Sequence, residues 1–101
     1  MRNLSREQLL AELLALKPEL ERRGITHASL IGSRARLDNR PDSDIDLVID
    51  YDRSRKFSLL DLIGAGHVIE DRVGLPADLI TRSGLKDSFL RTTARDEVRV
   101  F

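Results

Sequence analysis

Asp44 and Asp46 are the residues best placed to do chemistry in this sequence, because they stand two apart in an alternating stretch, Ser43-Asp44-Ile45-Asp46-Leu47-Val48. On an extended strand, residues two apart leave the same face with Cα atoms about 6.6 Å from each other. Carboxylate arms can converge from that spacing on cations about 3.5–4 Å apart, the separation of two-metal sites, and oxygen ligands suit Mg²⁺. An ordinary strand with one solvated face also contains Asp-x-Asp, although aspartate is a poor strand former. Asp78, within Leu75-Pro-Ala-Asp-Leu-Ile-Thr81, is a third acid in a predicted strand. A neighbouring strand can bring it beside the pair, where three carboxylates raise one another's pKa unless cations are present. The plain alternative for Asp78 is an edge-strand acid facing water.

Gly32-Ser33 ends an apolar run abruptly. Glycine lets the backbone turn sharply and lets a ligand come close. The amides of a helix that starts there favour a phosphate, and Ser33 adds a hydroxyl donor. A plain strand-to-helix turn with Ser33 as N-cap has the same appearance.

These groups need a scaffold, and the chain offers one. Ser5 and Gln8 fit a capping box, with Leu4 and Leu9 placed for a hydrophobic staple. Leu9, Leu10, Leu13, Leu14 and Leu16 form the apolar stripe of a first helix. Pro18 breaks it or starts a short second helix, and Gly24 stops that one. Residues 25–31 read as a strand, 34–37 as a helical turn, 38–43 as a loop holding Asn39 and Pro41, and 44–50 as an alternating strand. Phe57 to Asp71 reads as a helix with Phe57, Leu60, Ile63, Val68 and Ile69 among its apolar positions, weakened by Gly64 and Gly66. Residues 75–81 read as a third strand and 85–98 as a charged helix. The sum is an α/β (α+β) fold: a small mixed sheet of about three strands flanked by about four helices.

The 101 residues fit a single domain, 1–101. With 41% hydrophobic and 34% charged residues the composition is that of a globular chain, not a disordered one. Lys+Arg and Asp+Glu both number 17, so net charge gives no reason to expect a nucleic acid as primary partner or a membrane surface. No cysteine is present, which excludes disulfides and thiolate metal sites. The chain has neither an apolar stretch near the ~20 residues of a membrane span nor an apolar signal region, so a cytoplasmic protein is expected. His27 and His67 read as partly buried structural residues, Arg53, Arg55 and Lys56 as a solvated cluster, and Tyr51 as a rim aromatic. The apolar ends of the first helix and of segment 98–101 are candidates for docking a partner.

Taken together, Gly32-Ser33-Arg34-Ala35-Arg36 and Ser43-Asp44-Ile45-Asp46-Leu47, eleven residues from Ser33 to Asp44, resemble the nucleotidyltransferase signature Gly-Ser-x-Ala-Arg-Gly, a loop, then Ser-Asp-x-Asp-Leu. The chain is most similar to the minimal nucleotidyltransferases, small relatives of the DNA polymerase beta superfamily. Their bacterial members often act as antitoxins beside a helical HEPN partner. The resemblance implies a nucleotidyltransferase fold with ATP as substrate and two Mg²⁺ ions. It makes Asp44, Asp46 and Asp78 both metal ligands and catalytic residues, and assigns the triphosphate to Gly32 and Ser33. Arg36 matches the family's arginine; it and Arg34 can serve phosphates, pair with an acid or lie solvated. The implied reaction is AMP transfer to a hydroxyl on a HEPN-type toxin, with self-association left open. Leu37 stands where the family has glycine, and a position needing positive φ would strain it. That departure favours a second reading, a binding module that neutralises its partner by contact; the intact acidic set argues against it. A third, an RNA nucleotidyltransferase, needs extra domains for which this neutral chain has no room.

Overall fold

The computed structural model describes residues 4–84, 91 and 95–101. The first helix, α1 (Arg6–Ala15), starts at the expected capping box: Gln8 N–H donates to Ser5 Oγ at 3.1 Å and Ser5 N–H to Gln8 Oε1 at 2.9 Å. Leu9 and Leu13 are its buried residues, whereas Leu14 is half exposed. Pro18 lies in the first turn of a separate helix, α2 (Lys17–Arg22). There follow β1 (Ile25–Ile31), the short α3 (Gly32–Arg36), β2 (Ile45–Tyr51), α4 (Leu59–Val73), β3 (Ala77–Thr81), a 3₁₀ turn (Arg82–Gly84) and β4 (Val98–Arg99).

The sheet has four strands in the order β3-β2-β1-β4, one more than the sequence suggests. β4 is only two residues long and so carries no periodic signal. The helix expected over 85–98 falls largely outside the described residues; its last positions, Asp96 to Val98, lead into β4 instead. The terminal segment is therefore partly packed into the fold, with Val98, Val100 and Phe101 half-buried. Val100 N–H donates to Ala28 O at 2.9 Å, and Phe101 packs against the core.

β1 and β2 are antiparallel, and β2 and β3 are parallel, with α4 as the crossover that parallel neighbours require. Ala28, Leu30, Ile45, Leu47 and Ile49 face Leu9, Leu13, Leu20, Ala65, Ile69 and Val73 of the helices. Burying each leucine, isoleucine or valine among them is worth roughly 1.5–3 kcal/mol. The alternation of β2 therefore turns Asp46, Val48 and Asp50 to the opposite face of the sheet. α4 begins two residues later than expected because Ser58 and Asp61 form a second capping box, and Gly74 ends it at φ 83. Its outward face leaves Leu59, Leu60 and Ile63 exposed. No helix among the described residues is long and apolar enough to cross a membrane.

Candidate active site

Register brings the acids together. Asp46 of β2 lies directly beside Asp78 of β3 and beside Ile31 of β1, the residue before Gly32. Neighbouring strands run about 4.8 Å apart, so both carboxylates leave one face within reach of each other. Asp44 stands one residue before β2 rather than within it, and is exposed. Desolvation pushes the Asp46 carboxyl above the usual carboxylate range; the charges of Asp78 and Asp44 push the same way, and Arg36 opposes them. The three acids thus share one electrostatic neighbourhood.

Oxygen donors of this kind fit Mg²⁺. They do not already close on a common point: among the described residues no group of three His, Asp or Glu side chains is assembled to hold an ion. Three like charges sharing one face spread apart.

Gly32 abuts this cluster. Its φ is +75°, and a Cβ built there would lie 2.6 Å from Asp46 Oδ2. Both facts exclude a side chain, and they let the backbone press against the carboxylate. The structure changes the reading of Ser33, which lies inside α3 rather than capping it: the N-cap is Ile31, with no side-chain cap bond. The Ser33 carbonyl accepts from Leu37 N–H and, at 3.1 Å, from Asp38 N–H.

The two arginines of α3 diverge. Arg36 is exposed; its Nε donates to Asp38 Oδ2 at 3.0 Å, and its Nη1 lies 3.9 Å from Asp96. Arg34 is buried, at 3% exposure, and spends its donors on the loop that leads to Asp44. The sequence carries no signal for that role, because the carbonyls it serves come together only in the folded loop.

Leu37 adopts φ 69, ψ 22, the left-handed conformation, at 61% exposure. The condition for strain is met. An L-residue there costs about 1–2 kcal/mol, partly offset in glycine by its freer unfolded chain. Leu37→Gly is expected to stabilise by about 0.5–1 kcal/mol, read as a rise in the urea midpoint. A fall would mean that the leucine contributes contacts which outweigh its backbone.

The remaining candidates lie elsewhere. His27 and His67 are both exposed, not partly buried as expected. Tyr51 is at the far end of β2 from Asp46, stacked on Phe57 with ring centroids 4.7 Å apart. A shallow groove of about 260 Å³ between α4 and β3, lined by Leu62, Ile63, Gly66 and Leu79, opens on the sheet face opposite to Asp46 and Asp78.

Known proteins resemble the chain in sequence and fold. The sequence profile of the nucleotidyltransferase domain family matches residues 13–101. The protein adenylyltransferase MntA of Thermococcus cleftensis is 35% identical over 101 residues, covering 99% of this chain and 100% of the relative. A solved structure described as a minimal nucleotidyltransferase superposes with a TM-score of 0.81 at 26% identity, covering 97% of this chain and 98% of its own. A chain of the complex between a tri-AMPylated Shewanella oneidensis HEPN toxin and its MNT antitoxin shares the fold, with a TM-score of 0.68 at 9% identity over 95% of this chain and 71% of that one.

Proposed function

The chain belongs to the nucleotidyltransferase domain family, and from that premise we propose that it is a metal-dependent protein adenylyltransferase, transferring AMP from ATP to a hydroxyl on a HEPN-type toxin and thereby acting as its antitoxin. The observation that carries this reading is the register of Asp46 with Asp78 beside the glycine that abuts Asp46. The name of the Thermococcus cleftensis relative supports AMP as the group transferred, and the Shewanella oneidensis complex supports the HEPN partner. ATP as donor makes the cytoplasm the natural location.

In this reading residues 1–101 act as one nucleotidyltransferase domain. Asp44, Asp46 and Asp78 would hold two Mg²⁺ ions, which when bound would neutralise the triphosphate and lower the pKa of the acceptor hydroxyl. Asp78 completes the set from β3 and receives the hydroxyl proton. Gly32 lets the phosphates approach the backbone, and Ser33 donates its hydroxyl to them. Arg36, whose charge already acts on Asp46, offers a guanidinium to the phosphates in exchange for its bond to Asp38. The bond from the acceptor oxygen to the α-phosphorus forms as the bond to the bridging β-phosphate oxygen breaks, and pyrophosphate leaves.

The test is the intact mass of the partner after incubation with ATP and Mg²⁺, using wild type and Asp44→Asn/Asp46→Asn. Addition of AMP by wild type alone is the expected result. Neutralisation of the partner by both proteins with no mass change would overturn it in favour of a binding module.

A further inference from the structure

We propose that Arg34 is the positioning residue that sets Asp44 against the Gly32-Ser33 turn, so that metal affinity depends on a side chain which touches neither metal nor nucleotide. The proposal rests on the adenylyltransferase reading and extends it to a residue of no assigned role.

Among the described residues Arg34 is the one charged side chain that is buried. Among the described residues no carboxylate pairs with it, and the groups that offset the burial of its charge there are backbone carbonyls. Its Nε donates to Ser43 O at 3.0 Å and its Nη2 to Pro41 O at 3.2 Å. These carbonyls stand two residues apart, a span the rigid guanidinium fork matches and a lysine ammonium does not. The Ser43 carbonyl belongs to the peptide that precedes Asp44, so fixing its plane fixes the direction in which Asp44 leaves the backbone.

Elsewhere the loop is tied to α3 at its first residue, by Asp38 N–H to Ser33 O and Arg36 Nε to Asp38 Oδ2, while at its far end Ser43 N–H donates to Arg40 O at 3.1 Å and Arg40 N–H to Ser43 Oγ at 2.8 Å, both within the loop itself. The other end of the clamp is anchored. Arg34 follows Ser33 directly, and α3 is tied to α1 by Arg6 Nη1, which donates to Ala35 O at 2.8 Å. One side chain thus links the turn proposed for the phosphates to the entry of the strand that carries the acids. Outer-shell partners of metal ligands typically change metal affinity by 10–100-fold when lost.

The experiment compares wild type, Arg34→Lys and Arg34→Gln as full chains. It measures Mn²⁺ affinity in the presence of ATP by calorimetry, kcat and KM for ATP, hydrogen exchange across residues 38–46, and melting temperature. Arg34→Lys keeps the charge and the stem, so it reports even if Arg34→Gln does not fold. The expected result for Arg34→Lys is Mn²⁺ affinity lowered by about 10-fold or more, with faster exchange at residues 40–46. KM for ATP should stay near wild type, and excess Mn²⁺ should recover much of the turnover. Wild-type Mn²⁺ affinity in Arg34→Lys, or a lower melting temperature with unchanged metal dependence, would reduce Arg34 to a structural residue and overturn the proposal alone. Failure of wild type to bind Mn²⁺ with ATP would overturn the adenylyltransferase reading and this proposal with it.

Discussion

Asp46→Asn is expected to lower AMP transfer by at least about three orders of magnitude while leaving the fold as stable as wild type or slightly firmer. In the proposed reading Asp46 would hold both cations, so its loss would remove several kcal/mol of charge stabilisation from the transition state, and each 1.36 kcal/mol is tenfold in rate. The stability half follows from the electrostatics. Desolvation, then Asp78 and Asp44, raise the Asp46 pKa above its usual 3.8 in the folded chain. A carboxyl raised on folding costs stability while it is ionised, at pH above its folded pKa. The cost disappears as the pH falls through that pKa toward 3.8, because the native state takes up its proton first. Asparagine never carries the charge. Its advantage should therefore be present at neutral pH and shrink on acidification through the carboxylate range. Thermal melts of both proteins at neutral and mildly acidic pH, beside partner mass spectra, measure both halves. A large fall in melting temperature at neutral pH would mark Asp46 as a structural residue.

Gly32→Ala should damage both stability and catalysis. Alanine at φ +75° costs about 1–2 kcal/mol. Its Cβ would also stand 2.6 Å from Asp46 Oδ2, so the carboxylate must retreat by roughly 0.8 Å to reach ordinary contact at 3.4 Å. A displacement of about 1 Å in a reacting group can cost 10²-fold. The variant is expected to unfold at lower urea and to transfer AMP about 10²-fold more slowly, the loss persisting at temperatures where it is fully folded. Full activity per folded molecule would mean that Asp46 has room to move, and that the close approach of Gly32 is incidental.

Much of this arrangement is legible in single residues. Ser5 with Gln8 and the glycine at 74 mark helix ends through local hydrogen bonds and backbone freedom, which need no distant partner. The alternation of Ile45, Leu47 and Ile49 fixes which face Asp46 takes. The pairing of Asp46 with Asp78 was only an expectation, since register depends on how α4 returns the chain to the sheet. Three features escaped for physical reasons. β4 is too short to show a period. Leu60 and Ile63 read as part of the apolar stripe of α4 but point outward, because Ala65, Gly66, Ile69 and Val73 form the face against the sheet. Arg34 reads by residue type as a phosphate donor, a partner for an acid or a solvated charge, and only the folded loop brings carbonyls to its guanidinium.

β3 ends the sheet, and among the described residues no strand pairs with its outer side. Its sequence, Ala-Asp-Leu-Ile-Thr, has Asp78 as its one charge. Strands with open edges template the stacking of other chains unless a charge or a proline interrupts them. Asp78 therefore guards solubility at the same position where it would serve catalysis. Neutralising it leaves an uncharged, largely aliphatic edge open to self-assembly, so a poor yield of such a variant speaks to aggregation before it speaks to chemistry. Asp46, flanked by β1 and β3, carries no such liability.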